Sequence, residues 1–150
     1  MAGHIGYSVC ESAVITELIN ISSGTFTSNN CTSGDLDKVV RYILGTTNTP
    51  AVGCYIEYLS GYRRQFEPYK QMIWAWNMRG IVLLRTNMET VEEELRELID
   101  MLSTFGYNDH TLGGITKNAF ISSIDQPSPV RINDVPYYWL PFVVETWDKG

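Results

Sequence analysis

The stretch QMIWAWNMRGIVLLR, Gln71 to Arg85, decides the fold. Met72, Trp74, Trp76 and Met78 fall on one face of an extended chain, and Ile73, Ala75 and Asn77 on the other. The period is two, so the segment reads as a β-strand. Arg79-Gly80 breaks the rhythm before Ile81 to Leu84 resumes it. One long strand with a bulge at Gly80, where glycine supplies a positive φ, is one reading. Two shorter strands joined by a tight turn at Asn77–Gly80 is the other. Both faces of this segment are apolar enough to require cover.

Upstream, Val52, Cys54, Ile56 and Tyr58 alternate with Gly53, Tyr55 and Glu57, which predicts a second strand. Ser60 to Lys70 lies between the two as an exposed hairpin connection into which the strand ends extend. Downstream, Val91, Leu95, Leu98, Leu102 and Phe105 step by three and four, so Glu89 to Phe105 is a helix closed by Gly106. Its early glutamates suit the positive end of the helix dipole.

Two helices are expected before the first strand. Cys10, Ala13, Val14, Leu18 and Ile21 share one helical face, with Ser8 and Glu11 spaced as a capping box. Leu36, Val39, Val40 and Ile43 form the stripe of a shorter helix, capped by Asp35 and ended by Gly45. Ser22 to Gly34 is expected to be a polar loop. After the long helix come a turn at Asn108–Gly114, a strand over Ile115–Ile121 and a proline-bearing connection with a short extended piece at Val130–Ile132. A last strand, Tyr137–Thr146, carries Pro141, which predicts an edge position or a bulge.

The order helix-helix-strand-strand-helix-strand-strand predicts an α+β fold. It is a mainly antiparallel sheet of about four to five strands with helices packed on one face. Residues 1–150 read as a single domain.

Composition narrows the function. At 44% hydrophobic and 19% charged residues the chain has a globular profile, which excludes a disordered or collagen-like polymer. Eleven Lys+Arg against seventeen Asp+Glu give a net charge of −6, which argues against gripping nucleic acid as the main activity. No secretory signal and no membrane-length apolar run is read from the residues. Cys10, Cys31 and Cys54 are odd in number and widely spaced, so they read as buried free thiols of a reducing compartment. Asn20 and Asn30 match the glycosylation sequon, which is idle without a signal peptide.

Catalytic signals are sparse. His4 and His110 have no second ligand nearby, and Asn108-Asp109-His110 reads as a turn. Ser8, Ser12 and Ser22 lack a nucleophile elbow, and Gly113-Gly114 lacks the rest of a phosphate loop. Glu92, Glu93 and Glu94 point in different directions and form a solvated face. No catalytic residue, metal site or cofactor is expected. Aromatic residues make up 12% of the chain, concentrated in strands. Such surface on a small domain marks a subunit interface.

The element order, the strand Ile73-Trp74-Ala75-Trp76, the amphipathic helix after it, and Asp109-His110-Thr111-Leu112-Gly113-Gly114 before an alternating and then an aromatic strand together resemble the tail terminator proteins of long-tailed phages. These are also called tail-completion or tail-to-head joining proteins. The likeness runs from about Leu36 to the C-terminus, and the polar insert Ser22–Gly34 departs from it. The resemblance implies a non-enzymatic virion protein, assembled in the host cytoplasm. A homohexameric ring of it would cap the tail tube, stop its growth and meet the head-connector proteins. DNA would pass only transiently through the lumen, and no membrane is involved. Docking of a neighbouring ring, tail tube or connector is expected from Tyr58, Tyr62, Arg63, Arg64, Phe66 and Tyr69, because Tyr and Arg dominate interface hot spots. Contact between subunits is expected from Trp74, Trp76, Tyr137, Tyr138 and Trp139. The competing readings are another phage neck adaptor of the head-completion kind, a small carbohydrate- or ligand-binding module using Trp74, Trp76 or Trp139, and an enzyme whose site converges from distant residues.

Overall fold

A computed structural model describes residues 6–46, 51–66, 72–86, 89–107 and 109–148; of these, 58–66, 72–74 and 148 are described as backbone. The chain runs α1 (Tyr7–Ile21), β1 (Cys31–Ser33), α2 (Leu36–Gly45), β2 (Ala51–Phe66), β3 (Met72–Arg85), α3 (Val91–Ser103), β4 (Thr116–Ile124), β5 (Ser128–Ile132) and β6 (Val135–Asp148). The α+β class holds. One six-stranded sheet has the order β1-β2-β3-β6-β4, with β5 also paired to β6. Every pairing is antiparallel except that of β1 with β2.

The stretch from Met72 is a single strand, paired with β2 along its length and with β6 from Ala75 to Leu84. It carries no bulge at Gly80. The register slips on the partner strand instead, between Ile56 and Tyr58 and again between Leu59 and Gly61. Gly80 is required for another reason: the outer end of the Phe142 ring presses on it, and a Cβ built there would lie only 2.2 Å from Phe142 Cζ. Glycine thus serves close approach rather than positive φ.

The helices do not share one face. Even-numbered residues of β3 and β6 meet α1 and α3: Met78, Val82, Leu84, Leu140, Phe142 and Val144 pack with Cys10, Val14, Leu18, Leu98 and Leu102. Odd-numbered residues meet α2: Ile81 and Leu83 pack with Val39, Val40, Ile43, Tyr55 and Tyr137. Gly53 makes that second contact possible, since a Cβ there would strike the Val39 side chain and crowd Asn30 O at 3.2 Å. The expectation of a one-sided helical layer is therefore corrected. A strand with two apolar faces obtains cover on both from its own chain, over the half of the sheet near the start of β2.

Three further expectations change. The loop over Ser22–Gly34 contains β1, whose Cys31 lies opposite Cys54 in parallel register. The side chain of Asn30 ties this loop to the sheet, accepting from Thr27 N at 2.6 Å and donating to Thr25 O and Val52 O. Helix α1 begins at Tyr7 after Gly6 with no side-chain cap, so Ser8 and Glu11 form no capping box. Glu11 instead accepts from Tyr7 Oη at 2.7 Å and from the Ser33 hydroxyl, which joins α1 to β1. Asp35 caps α2 as expected, accepting from Lys38 N at 3.0 Å, but Gly45 is the helix's last residue and Thr46 is its extended cap.

Pro141 is neither at an edge nor at a bulge. Strand β6 is paired on both sides, and Pro141 lies opposite Ile81 of β3. Its other side falls between the last pair with β4, Ile124↔Phe142, and the first with β5, Ser128↔Trp139. There Pro141 O accepts from Asp125 N at 2.9 Å. A strand residue's N and O point to the same side, so the missing donor falls where the chain steps from one hairpin to the next and no ladder bond is lost. The β5–β6 turn is Asn133-Asp134, with φ of 52° and 64°, the two-residue turn that suits a tight hairpin.

Candidate functional site

The β2–β3 hairpin outruns the rest of the sheet. Strand β1 pairs with β2 only at Cys54–Ile56, and β6 stops pairing with β3 at Ala75. Beyond that point Arg64↔Trp74, Gln65↔Ile73 and Phe66↔Met72 pair only with each other. At ~3.3 Å per residue this overhang is about 10 Å of two-stranded ribbon. The outer edge of β2 from Glu57 onward faces no strand among the described residues. Its two register slips lie on this edge, and bulges there blunt indiscriminate pairing.

Of the expected docking residues, Arg64 and Phe66 lie on this overhanging arm, while Tyr58, Tyr62 and Arg63 precede it on β2, where β3 is still paired with β6. Tyr58, Tyr62, Arg63, Arg64 and Phe66 are strand residues, with Tyr62 opposite Trp76 and Arg64 opposite Trp74. Tyr69 lies outside the described residues, as does His4. The strand pairing thus extends well into the segment read from sequence as a connection.

The residues expected at the subunit contact separate. Trp76 is half-buried on the α1 side, edge-on to Tyr7 with centroids 6.1 Å apart. Tyr138 lies against the same core, whereas Trp139 packs on the α2 side. Tyr137 is 1% exposed, enclosed with Val39, Val40 and Ile43 of its own α2, so its ring offers no surface to a neighbour. Burial raises its phenol above the usual range, and Arg85 partly opposes that. The sequence reading passed over Trp147. Its ring meets Phe120 edge-on at 6.3 Å on the sheet face that carries α2, at the arm's end of β6. Its indole N–H is buried with no acceptor among the described residues.

A second feature lies at the opposite end of the hairpin, where β2 begins and β3 ends. A cleft of about 510 Å³ opens between the C-terminal end of α2 and the length of α3. Val52, Leu84 and Leu98 supply apolar lining, α2 supplies Tyr42, and α3 supplies Glu94 and Glu97. Tyr42 is 39% exposed. Partial burial holds the Glu94 carboxyl above the usual carboxylate range, reinforced by Glu97 and Glu93. The acidic helix is visible in the sequence, but the cleft is not. It requires α2 and α3 to stand on either side of the sheet's end.

Elsewhere the chemistry is sparse. Asp109 accepts from Gly113 N at 2.8 Å and from the Thr111 hydroxyl at 3.0 Å, which gives 109–114 its turn, and His110 is exposed. Glu92 and Glu93 are exposed, and Glu92 pairs with Arg96 one turn on. Among the described residues no three His, Cys, Asp or Glu side chains converge as a metal site. No helix among the described residues is long and apolar enough to cross a membrane. No protein-family model matches the chain, and no curated protein matches it.

Proposed function

We propose that this chain is a structural subunit of a phage neck, resembling the tail terminators: a ring, hexameric in that family, that caps the tail tube, stops its growth and meets the head connector. The observation that carries the reading is the arm. A two-stranded ribbon runs past the last pair with β6, with Arg64 and Phe66 on its first strand just beyond Tyr58, Tyr62 and Arg63. It is costly to order unless a neighbour covers it, because an isolated ribbon is marginal in water. Tyr and Arg are the side chains that carry interface energy.

A closed ring needs two different patches on each subunit. The arm is one. The half-buried aromatic residues Trp76, Tyr138 and Trp139, together with Trp74 on the arm, are candidates for further contact. The net charge of −6 suits a lumen that lets DNA pass without gripping it.

Native mass across a concentration series, alone and with purified tail tubes, tests the reading. A discrete ring, or assembly at tube ends only, is the expected result. A strict monomer that ignores tubes overturns it. In a lysate lacking the protein, overlong tails support a terminator, and normal unattached tails point to a head-completion adaptor instead.

A further inference from the structure

We propose that the cleft between α2 and α3 is the socket for the arginine-bearing arm of a second copy of this chain. The inference rests on the arm being a docking element and names what it docks.

Charge is the first argument. Residues 58–66 carry Arg63 and Arg64 and no acid, in a chain whose net charge is −6. Helix α3 carries five acids against one arginine, and two of those acids, Glu94 and Glu97, line the cleft. The cationic strand and the anionic cleft are the complementary patches that a head-to-tail contact requires.

Geometry is the second. Val52 lines the cleft and Arg64 is on the arm, twelve residues further along the same strand. At ~3.3 Å per residue they are about 40 Å apart. An arm cannot fold back along its own strand to reach its own cleft, so the contact must be between copies.

Side-chain chemistry is the third. Tyr42 offers an aromatic ring, Glu94 and Glu97 offer carboxylates, and Val52, Leu84 and Leu98 offer an apolar lining. A guanidinium uses all three, stacking on the ring, donating in parallel to carboxylates and laying its methylene stem on apolar surface. Burial, and then the neighbouring carboxylates of Glu97 and Glu93, raise the proton affinity of Glu94, and an incoming cation relieves that crowding.

A charge swap in the full chain tests this. Sedimentation velocity compares wild type with R63E/R64E and with E94K/E97K, each checked for folding by circular dichroism and melting. Each variant alone is expected to self-associate about tenfold more weakly. An equimolar mixture is expected to recover, because an acidic arm then meets a basic cleft and a basic arm meets an acidic one. Should the lysine pair fail to fold, Y42L with E97Q reads the same contact at exposed positions and is expected to weaken association at least about threefold. The socket is overturned if folded R63E/R64E associates as wild type does, if the mixture of folded variants fails to recover, or if wild type stays monomeric to about 1 mM. Rings or capped tubes that ignore these substitutions sink the socket and leave the neck reading standing. Arm-and-cleft association that neither closes nor caps tubes does the reverse.

Discussion

Position 80 has room for a hydrogen and nothing larger, because the outer end of the Phe142 ring on the neighbouring strand would lie 2.2 Å from a Cβ there. A methyl group there must displace a fully buried aromatic in the middle of the core. Gly80→Ala is expected to destabilise the protein by about 1–3 kcal/mol, read from the urea midpoint. In a Phe142→Leu background the same change is expected to cost clearly less, and equal costs would show that the ring is not the obstacle. Glu17 makes a different kind of residue-scale prediction. Burial, and then Asp109 nearby, raise its carboxyl above the usual range, while the hydrogen bond from Gly106 N opposes the rise. The folded state therefore binds this proton more tightly than the unfolded one. The group's stabilisation is complete below its unfolded pKa and is lost as pH rises through its folded value. Gln keeps an acceptor for Gly106 and removes the charge, so Glu17→Gln is expected to raise the melting temperature by about 1–3 °C at pH 7.5. The gain should vanish toward pH 4, and an equal gain at both values would refute the burial argument. Cys10, Cys31 and Cys54 are all buried, and burial beside Cys31 pushes the Cys54 thiol well up. Iodoacetamide is expected to leave all three unmodified in the native protein and to reach them only after denaturation.

Helix α2 is the element whose placement most changes the picture. It is only ten residues long, yet it encloses Ile81, Leu83, Tyr55 and Tyr137 on the face that α1 and α3 leave bare. Ile43→Ala is expected to cost about 2–4 kcal/mol by urea unfolding, since it empties a site at the centre of that second core. A loss under about 1 kcal/mol would mean that α2 only rests on the sheet. The helices and long strands were legible because each has a single strong period: steps of three and four in α2 and α3, alternation in β2, β3 and β6. What periodicity does not carry is the side of the sheet on which a helix lands. Gly53, small beneath Val39 and Ile43, was the one local sign of a close helix, and in sequence it looks like any strand glycine. Strand β1 was hidden because three residues are too few to show a period, and its polar surroundings read as loop. Pro141 was misplaced because the rule that sends proline to an edge counts strands. The physical requirement concerns one N–H, and the step from β4 to β5 frees it from that duty. The arm's residues were legible as candidate contacts by composition alone. The cleft was not, since its lining comes from five separate elements and the loop after α1.

At the scale of the whole molecule, Arg63 and Arg64 lie toward one end of the hairpin and Glu94 and Glu97 line the cleft at the other, under a net charge of −6. Two electrostatic effects then oppose each other when copies meet. Like net charges repel over tens of ångströms, while an arginine seated against a carboxylate attracts over about 4 Å. Salt acts on them unequally. At ~0.01 M the screening length is about 30 Å, so the long-range repulsion is felt in full. Near ~0.1 M the length falls to about 10 Å, which removes most of the repulsion and leaves the contact pair largely intact. At ~1 M it is about 3 Å, and the exposed part of the contact is screened as well. Self-association is therefore expected to pass through a maximum near ~0.1 M NaCl and to weaken by about threefold to tenfold on either side, measured by sedimentation equilibrium. R63E/R64E should lose the maximum and strengthen steadily with salt, because only repulsion is left to screen. Association that rises steadily with salt in the wild type would mean that apolar contact through the aromatic strands, and not the paired charges, holds the copies together.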